Sequence, residues 1–157
     1  MRSLVLTVGH KPASWIEEAC KSYSSRLPKD WQIQWRELRA EPRSHSSLTE
    51  QCMQREAHRI ETSLQSGSFF LVALDERGSR LNSVEFAAQC QQWHEQGEVP
   101  AFVIGGADGL HPSIRTQAKL ILQLSSLTLP HGLVRVLIAE QLFRAWSILQ
   151  QHPYHRA

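Results

Sequence analysis

Three apolar runs in this chain end in residues able to take part in chemistry, and each end differs in character. FFLVALD closes on Leu74 and Asp75. PAFVIGG closes on Gly105 and Gly106, inside IGGADGL. LILQLSSLTL passes through Ser125, Ser126, Leu127, Thr128, Leu129 and Pro130 into His131 and Gly132. In open α/β sheets, ligands bind beyond the carboxyl ends of parallel strands, so these three ends are the expected walls of a site. Glycines at 105 and 106 permit positive φ and close backbone approach to a ligand. A glycine pair after a strand also serves a plain tight turn, so it is not decisive alone. Neither G-x-G-x-x-G nor G-x-x-x-x-G-K-S/T is present, which disfavours a dinucleotide site and a phosphate loop. No aspartate or histidine cluster has metal spacing. His152 and His155 lie at i, i+3 in a proline-containing tail, a weak pair for a metal. Glu140 and Arg144 lie at i, i+4, which suits an ordinary helix-face pair as well as a functional role for Arg144.

The elements that must hold these ends follow from hydrophobic period. Residues 4–8 read as a short buried strand closed by Gly9. Residues 13–24 have helical spacing, with Trp15, Ile16, Ala19, Cys20 and Tyr23 on one face. Residues 31–38 alternate as a strand. A polar loop, RAEPRSHSS, leads to a helix that Ser47 caps with Glu50 as its capping-box partner. That helix runs to about residue 64 and is polar enough to be largely exposed. Residues 69–75 form a continuous apolar run, as doubly covered parallel strands do, and ERGSR then turns. A helix starts at Asn82 or Ser83 and ends near Gly97. PAFVIGG is another buried strand, residues 112–117 a short helix, and LILQLSSLTL a further strand region. The last helix runs over residues 133–150. Strands alternating with helices imply an α/β fold with a mainly parallel sheet.

That final helix has apolar residues nearly all round, among them Val134, Leu137, Ile138, Leu142, Phe143 and Trp146. A helix of this kind must be buried on most sides. A small chain does not do that easily alone, so part of the surface is expected to meet another subunit. With 157 residues there is material for one domain over residues 1–157, with its own core. The composition, 41% hydrophobic and 20% charged, is that of ordinary globular chains. No apolar run reaches about 18 residues, which excludes a helical membrane span. The N-terminal apolar run is too short for a signal peptide, so a cytoplasmic location is expected. Cys20, Cys52 and Cys90 are odd in number, widely spaced and free of any C-x-x-C, against both disulfides and zinc. The net charge of +2 is too mild to establish nucleic-acid binding.

Six segments together, VGHKP, YSSRLPKDW, LDERG, FVIGGADGL, LSSLTLPHGLVRVLIAEQLFRAWSI and HPYHR, resemble the RlmH family. These are SPOUT-superfamily methyltransferases of large-subunit ribosomal RNA. The likeness spans essentially the whole chain in the same order. It implies a SPOUT fold with a C-terminal trefoil knot, although general topology rules disfavour knots. It further implies a homodimer with no appended RNA-binding domain and S-adenosylmethionine held in bent form. The substrate it implies is a pseudouridine in helix 69 of 23S rRNA, methylated at ring N3 on the assembled ribosome. The cofactor loops would be the region of Leu74, the turn at Gly105 and Gly106, and Ser125, Ser126, Leu127, Thr128, Leu129 and Pro130. No metal and no membrane enter this scheme.

The sulfonium activates its own methyl group, so the protein must orient the reactants and exclude water. The N3 proton must also leave, which a base or a stabilising cation assists. In the tail, Tyr154 suits stacking on a base, His155 proton transfer or phosphate contact, and Arg156 phosphate or the uracil oxygens. The competing reading is a frayed terminus. Arg144 is the second choice for positioning substrate. His131 divides evenly between structural capping and catalysis. The tryptophan-rich WQIQWRELRAEPRSHSS departs from the family, with fewer lysines than expected, which leaves open how a ribosome is gripped. An alternative function is a non-catalytic ribosome-binding factor that keeps the fold.

Overall fold

The structure, a computed structural model, describes residues 1–44 and 48–155, the last by its backbone alone. Five strands form one parallel sheet: β1 (Ser3–Gly9), β2 (Ile33–Arg39), β3 (Phe70–Arg80), β4 (Pro100–Ile104) and β5 (Leu120–Gln123). Their order is β2-β1-β4-β3-β5, with every pairing parallel. Five helices cover it: α1 (Ser14–Ser24), α2 (Thr49–Leu64), α3 (Ser83–Glu95), α4 (Pro112–Gln117) and α5 (His131–Leu149).

Alternate residues of the buried strands supply two cores. Leu4, Leu6, Val8, Leu71, Ala73, Ala101 and Val103 face α2 and α4 through Ala57, Ile60 and Ile114. Val5, Val72, Phe102, Ile104 and Leu122 face the opposite way, toward Phe86 and Trp93 of α3 and Ile138, Leu142 and Phe143 of α5. Helix α1 closes the second layer by packing Ile16 and Cys20 against Ala139. Burial on both faces explains why these strands read as unbroken apolar runs. Cys20, Cys52 and Cys90 are buried free thiols.

Several expectations change. ERGSR is not a turn: β3 continues through it to Arg80. It pairs with β5 at Val72, Ala73 and Leu74, leaves the ladder, and returns at Ser79 and Arg80. Gly78 makes the return possible. A Cβ there would lie 2.6 Å from both the carbon and the oxygen of the Ile121 carbonyl, so only glycine lets the two backbones pass this closely. The excursion carries Asp75, Glu76 and Arg77 out of the ladder, as irregular strands near sites commonly do.

Trp31 ends a short 3-10 turn, and the strand begins only at Ile33. The last strand is short, and the chain beyond Gln123 is a loop up to His131, where α5 begins two residues earlier than its apolar pattern suggests. Ser47, the expected cap of α2, lies outside the described residues. The helix starts after Leu48 with no side-chain cap, and Glu50 instead accepts from His111 Nε2 at 2.9 Å. Nor is α2 merely a solvated helix, since it buries Cys52, Glu56, Ala57 and Ile60. The capping box at Asn82 and Glu85 forms in full. On α1, Ile16 and Cys20 turn inward while Trp15 stays 54% exposed. Helix α5 buries most of its apolar surface within its own chain, between α1 and α3. Among its apolar residues only Leu133 is exposed, at 38%.

Candidate functional site

At the carboxyl edge of the sheet, β3 where it leaves the ladder after Leu74 and the ends of β4 and β5 meet around a cleft of about 870 Å³. That volume falls in the range of small-molecule sites. The structure brings Leu74, Gly105, Gly106, Ser125, Leu127, Thr128, Leu129, Pro130 and His131 together on its walls. Ser126 belongs to the same loop but does not line the cleft. The loop is braced internally, with the Leu127 backbone N–H donating to Ser125 Oγ at 2.9 Å. Leu127 is 74% exposed there, an apolar side chain held open to solvent at the mouth of a concave site.

Gly105 and Gly106 work by proximity rather than by φ. Neither has a positive φ; Gly109 carries it, at 81°. Gly109 N–H donates to Gly106 O at 3.0 Å, folding residues 105–110 back on themselves. A Cβ on Gly105 would meet Gly109 C at 2.6 Å, Gly109 O at 2.7 Å and Leu110 N at 2.8 Å. Leu110 O accepts from the Arg115 guanidinium, which also lies 3.6 Å from Asp75 of β3. Two walls of the cleft are thereby joined.

His131 opens α5 against Gly9, with its Cε1 3.4 Å from where a Cβ on Gly9 would lie. Its Nε2 is buried without a partner among the described residues. Burial and then the nearby Arg135 push its pKa below the ordinary value, against a backbone hydrogen bond with Val8. Near neutral pH it is an uncharged imidazole, able to accept or pass on a proton. The unfolded chain takes up this proton first, near its ordinary pKa of about 6.5. Stability from this group is therefore present above that pH and lost as pH falls from there through the lowered native value. Urea midpoints measured between about pH 7.5 and pH 5 should fall less in His131→Asn than in the parent. Parallel curves for the two would remove the assignment.

The tail sits elsewhere. Tyr154 and Arg144 do not line the cleft. The Tyr154 hydroxyl donates to Glu140 Oε1 at 3.1 Å, and its ring packs edge-on to Phe143 at 4.7 Å. Arg144 Nε donates to the same Glu140 oxygen at 2.8 Å, and its guanidinium lies 5.1 Å from the Tyr154 ring. The Arg26 guanidinium covers Phe143 at 4.0 Å. Burial, then the Glu140 carboxylate, push the Tyr154 phenol up to about 12, so it stays protonated. The Glu140 hydrogen bond holds Arg144 above its ordinary value. The i, i+4 pair expected from sequence is real, and it is part of a cluster that includes the tail. Arg156 and the His155 side chain lie outside the described residues.

Sequence reasoning passed over two buried charges. Arg135, on α5, is 5% exposed; its Nη2 donates to Glu37 at 2.8 Å and its Nη1 to Thr7 at 3.3 Å. Glu56, on α2, is 3% exposed and bound by Arg43. The signal for Glu56 was available: it stands between Cys52 and Ile60 at i, i+4, i+8, on the stripe that α2 buries. Arg135 left no such mark, because it lies on a helix apolar on all sides.

Among the described residues, no group of three or more His, Cys, Asp or Glu is arranged to hold a metal ion. No helix among them is long and apolar enough to cross a membrane.

A family model described as "Predicted SPOUT methyltransferase" matches residues 1–155. A ribosomal RNA large subunit methyltransferase H of Ralstonia pickettii (strain 12J) is 52% identical over 156 residues, covering 99% of each chain. A protein of the same name from Cupriavidus taiwanensis is 51% identical over 159 residues, covering all of both. Among solved structures, a probable methylase family protein from Haemophilus influenzae Rd KW20 is 12% identical. It aligns with a TM-score of 0.57 over 99% of this chain and 70% of its own, a likeness of fold alone.

Proposed function

The chain belongs to the RlmH family of SPOUT methyltransferases, and from that premise we propose that it transfers a methyl group from S-adenosylmethionine to ring N3 of a pseudouridine in helix 69 of 23S rRNA. The observation that carries the reading is the convergence of the β3 break at Leu74 and the segments after β4 and β5 on one cleft, with Leu74, Gly105 and Leu127 on its walls. The cleft suits this donor chemically. Leu74, Leu127 and Leu129 offer apolar faces for an adenine ring, and the glycine turn offers main-chain polar groups at close range. Bound there, the donor supplies a methyl group on a positively charged sulfur, already activated for displacement. The chain's own work is to orient, to exclude water and to manage the N3 proton.

His131, uncharged, lines the cleft beside the cofactor loop, so a neutral imidazole stands next to the donor site. Tyr154, Arg144 and the tail residues His155 and Arg156 are assigned to the substrate nucleotide. The trefoil knot belongs to the same reading and rests on membership of the SPOUT family. So does a homodimer: Leu133, exposed at the start of α5 beside the cofactor loop, is apolar surface that a second chain would cover. The mild charge of each chain fits a partner recognised by shape, an assembled ribosome in the cytoplasm, better than a short free RNA.

Labelled S-adenosylmethionine supplied to ribosomes from a strain lacking the enzyme tests this. Label should enter the large-subunit RNA at one pseudouridine, and far less should enter an isolated stem-loop. Absence of label together with no donor binding by calorimetry would favour the non-catalytic ribosome-binding factor. Label at another nucleotide would refute the site and keep the chemistry.

A further inference from the structure

We propose that Glu56 is a positioning residue: acting through Arg43 and Asp108, it holds the 105–110 turn in the shape the methyl donor needs. The inference rests on the reading of the cleft as the donor site.

Glu56 occupies a place on α2 where an apolar side chain would pack at no electrostatic cost. Its neighbours on the buried stripe are Cys52 and Ile60. A carboxylate there must be matched closely by partners or it destabilises the fold. The partners are specific. Glu56 Oε1 accepts from the Glu41 backbone N–H at 2.9 Å and from Arg43 Nη1, and Oε2 accepts from Arg43 Nη2 at 3.2 Å. The same guanidinium continues to Asp108, donating to Oδ2 from Nε at 3.0 Å and from Nη2 at 2.8 Å. One cation therefore links two carboxylates, one fixed in a helix and one in the turn. Both carboxylates raise the Arg43 pKa, so its charge is permanent.

Glu56 also touches the turn directly. A Cβ on Gly106 would lie 2.9 Å from Glu56 Oε2. Glu56 thus lies close against the turn at Gly106 and Arg43 binds it at Asp108, both on the flank facing α2, while Arg115 holds Leu110. Glu41, Arg43 and Asp108 all line the cleft. Glu41 is itself gripped by Arg59 and Arg55 of α2, so the segment carrying Arg43 has little freedom. The arrangement gives α2 a function its polar sequence did not suggest: it is the rigid element against which a glycine turn is set.

The test uses the full-length protein with Glu56→Gln, Asp108→Asn and their double variant. Asp108 is partly exposed, so its variant reports on the turn even if Glu56→Gln impairs folding. The Kd for S-adenosylhomocysteine, measured by calorimetry, should rise about tenfold in each single variant. The double variant should be little worse than either, since both break one linkage. In methyl transfer the KM for the donor should rise while kcat at saturating donor stays within about twofold. Amide hydrogen exchange over residues 106–110 should quicken in all three. Unchanged affinity, additive losses, or a fall confined to kcat would overturn the proposal. If the parent binds no S-adenosylhomocysteine, the functional reading fails instead. Exchange then decides alone: quicker exchange upholds the positioning of the turn, and unchanged exchange overturns it.

Discussion

Gly105→Ala should lower the affinity for S-adenosylmethionine at least about 100-fold, equivalent to roughly 2.7 kcal/mol, while the chain keeps its fold. The added methyl group would meet three backbone atoms at 2.6 to 2.8 Å, all in Gly109 and Leu110. Real Cβ atoms do not approach backbone so closely, and no side chain is present to swing aside. The turn must open by several tenths of an ångström. Its far end cannot follow freely, because Leu110 O is tied to Arg115 and Asp108 to Arg43. The displacement therefore falls on the cleft wall, whose main-chain groups the proposed reading sets at hydrogen-bonding distance from the donor. Strain of this kind costs about 1–3 kcal/mol of stability, which a chain with two buried cores can absorb. Circular dichroism should remain that of the parent and calorimetry should lose its binding heat. An affinity within about threefold of the parent would place the donor away from this turn.

The contrast between Gly105 and Glu56 explains how much was legible in the sequence. Strand ends are marked by where apolar runs stop, so Leu74, Gly105 and the residues before His131 could be picked out before any coordinates. Unbroken apolar runs, helical spacing and cap signals located the helices and the approximate strands, because burial on both sheet faces makes the inner strands apolar throughout. What pattern could not carry was distance. ERGSR has turn-forming residues, yet β3 resumes at Ser79 because β5 supplies ladder partners from far along the chain. Of the two freedoms the sequence gives Gly105, positive φ and close approach, the fold uses the close approach, and the positive φ is taken by Gly109. Charges hidden in helices were harder still. Arg135 and Glu56 are buried because Glu37 and Arg43 reach them across the sheet edge and a loop, contacts with no local signature.

Mixing Gly105→Ala chains with chains carrying Tyr154→Ala and Arg156→Ala should restore methyl transfer that neither variant shows alone. Tyr154 is fastened to Phe143 and Glu140, whereas the cleft borders His131 and Val134 of the same helix. From His131 to Glu140 is nine residues, about 14 Å of helix at 1.5 Å per residue. A tail anchored there does not place Tyr154 in its own cleft. For it to meet a nucleotide beside the donor, the cleft must belong to a second chain, and the exposed Leu133 marks a side that chain would cover. In a symmetric dimer each site then combines one chain's cleft with the other's tail. Each pure variant loses both sites, with activity expected to drop about 100-fold or more. Random mixing makes half the dimers mixed, and each mixed dimer has one site with an intact cleft and an intact tail. Recovery should approach about one quarter of the parental rate. If cleft and tail act within one chain, every site in every mixture is defective and no recovery occurs. The rate of the mixture thus distinguishes the two arrangements, and it requires no structure of the complex.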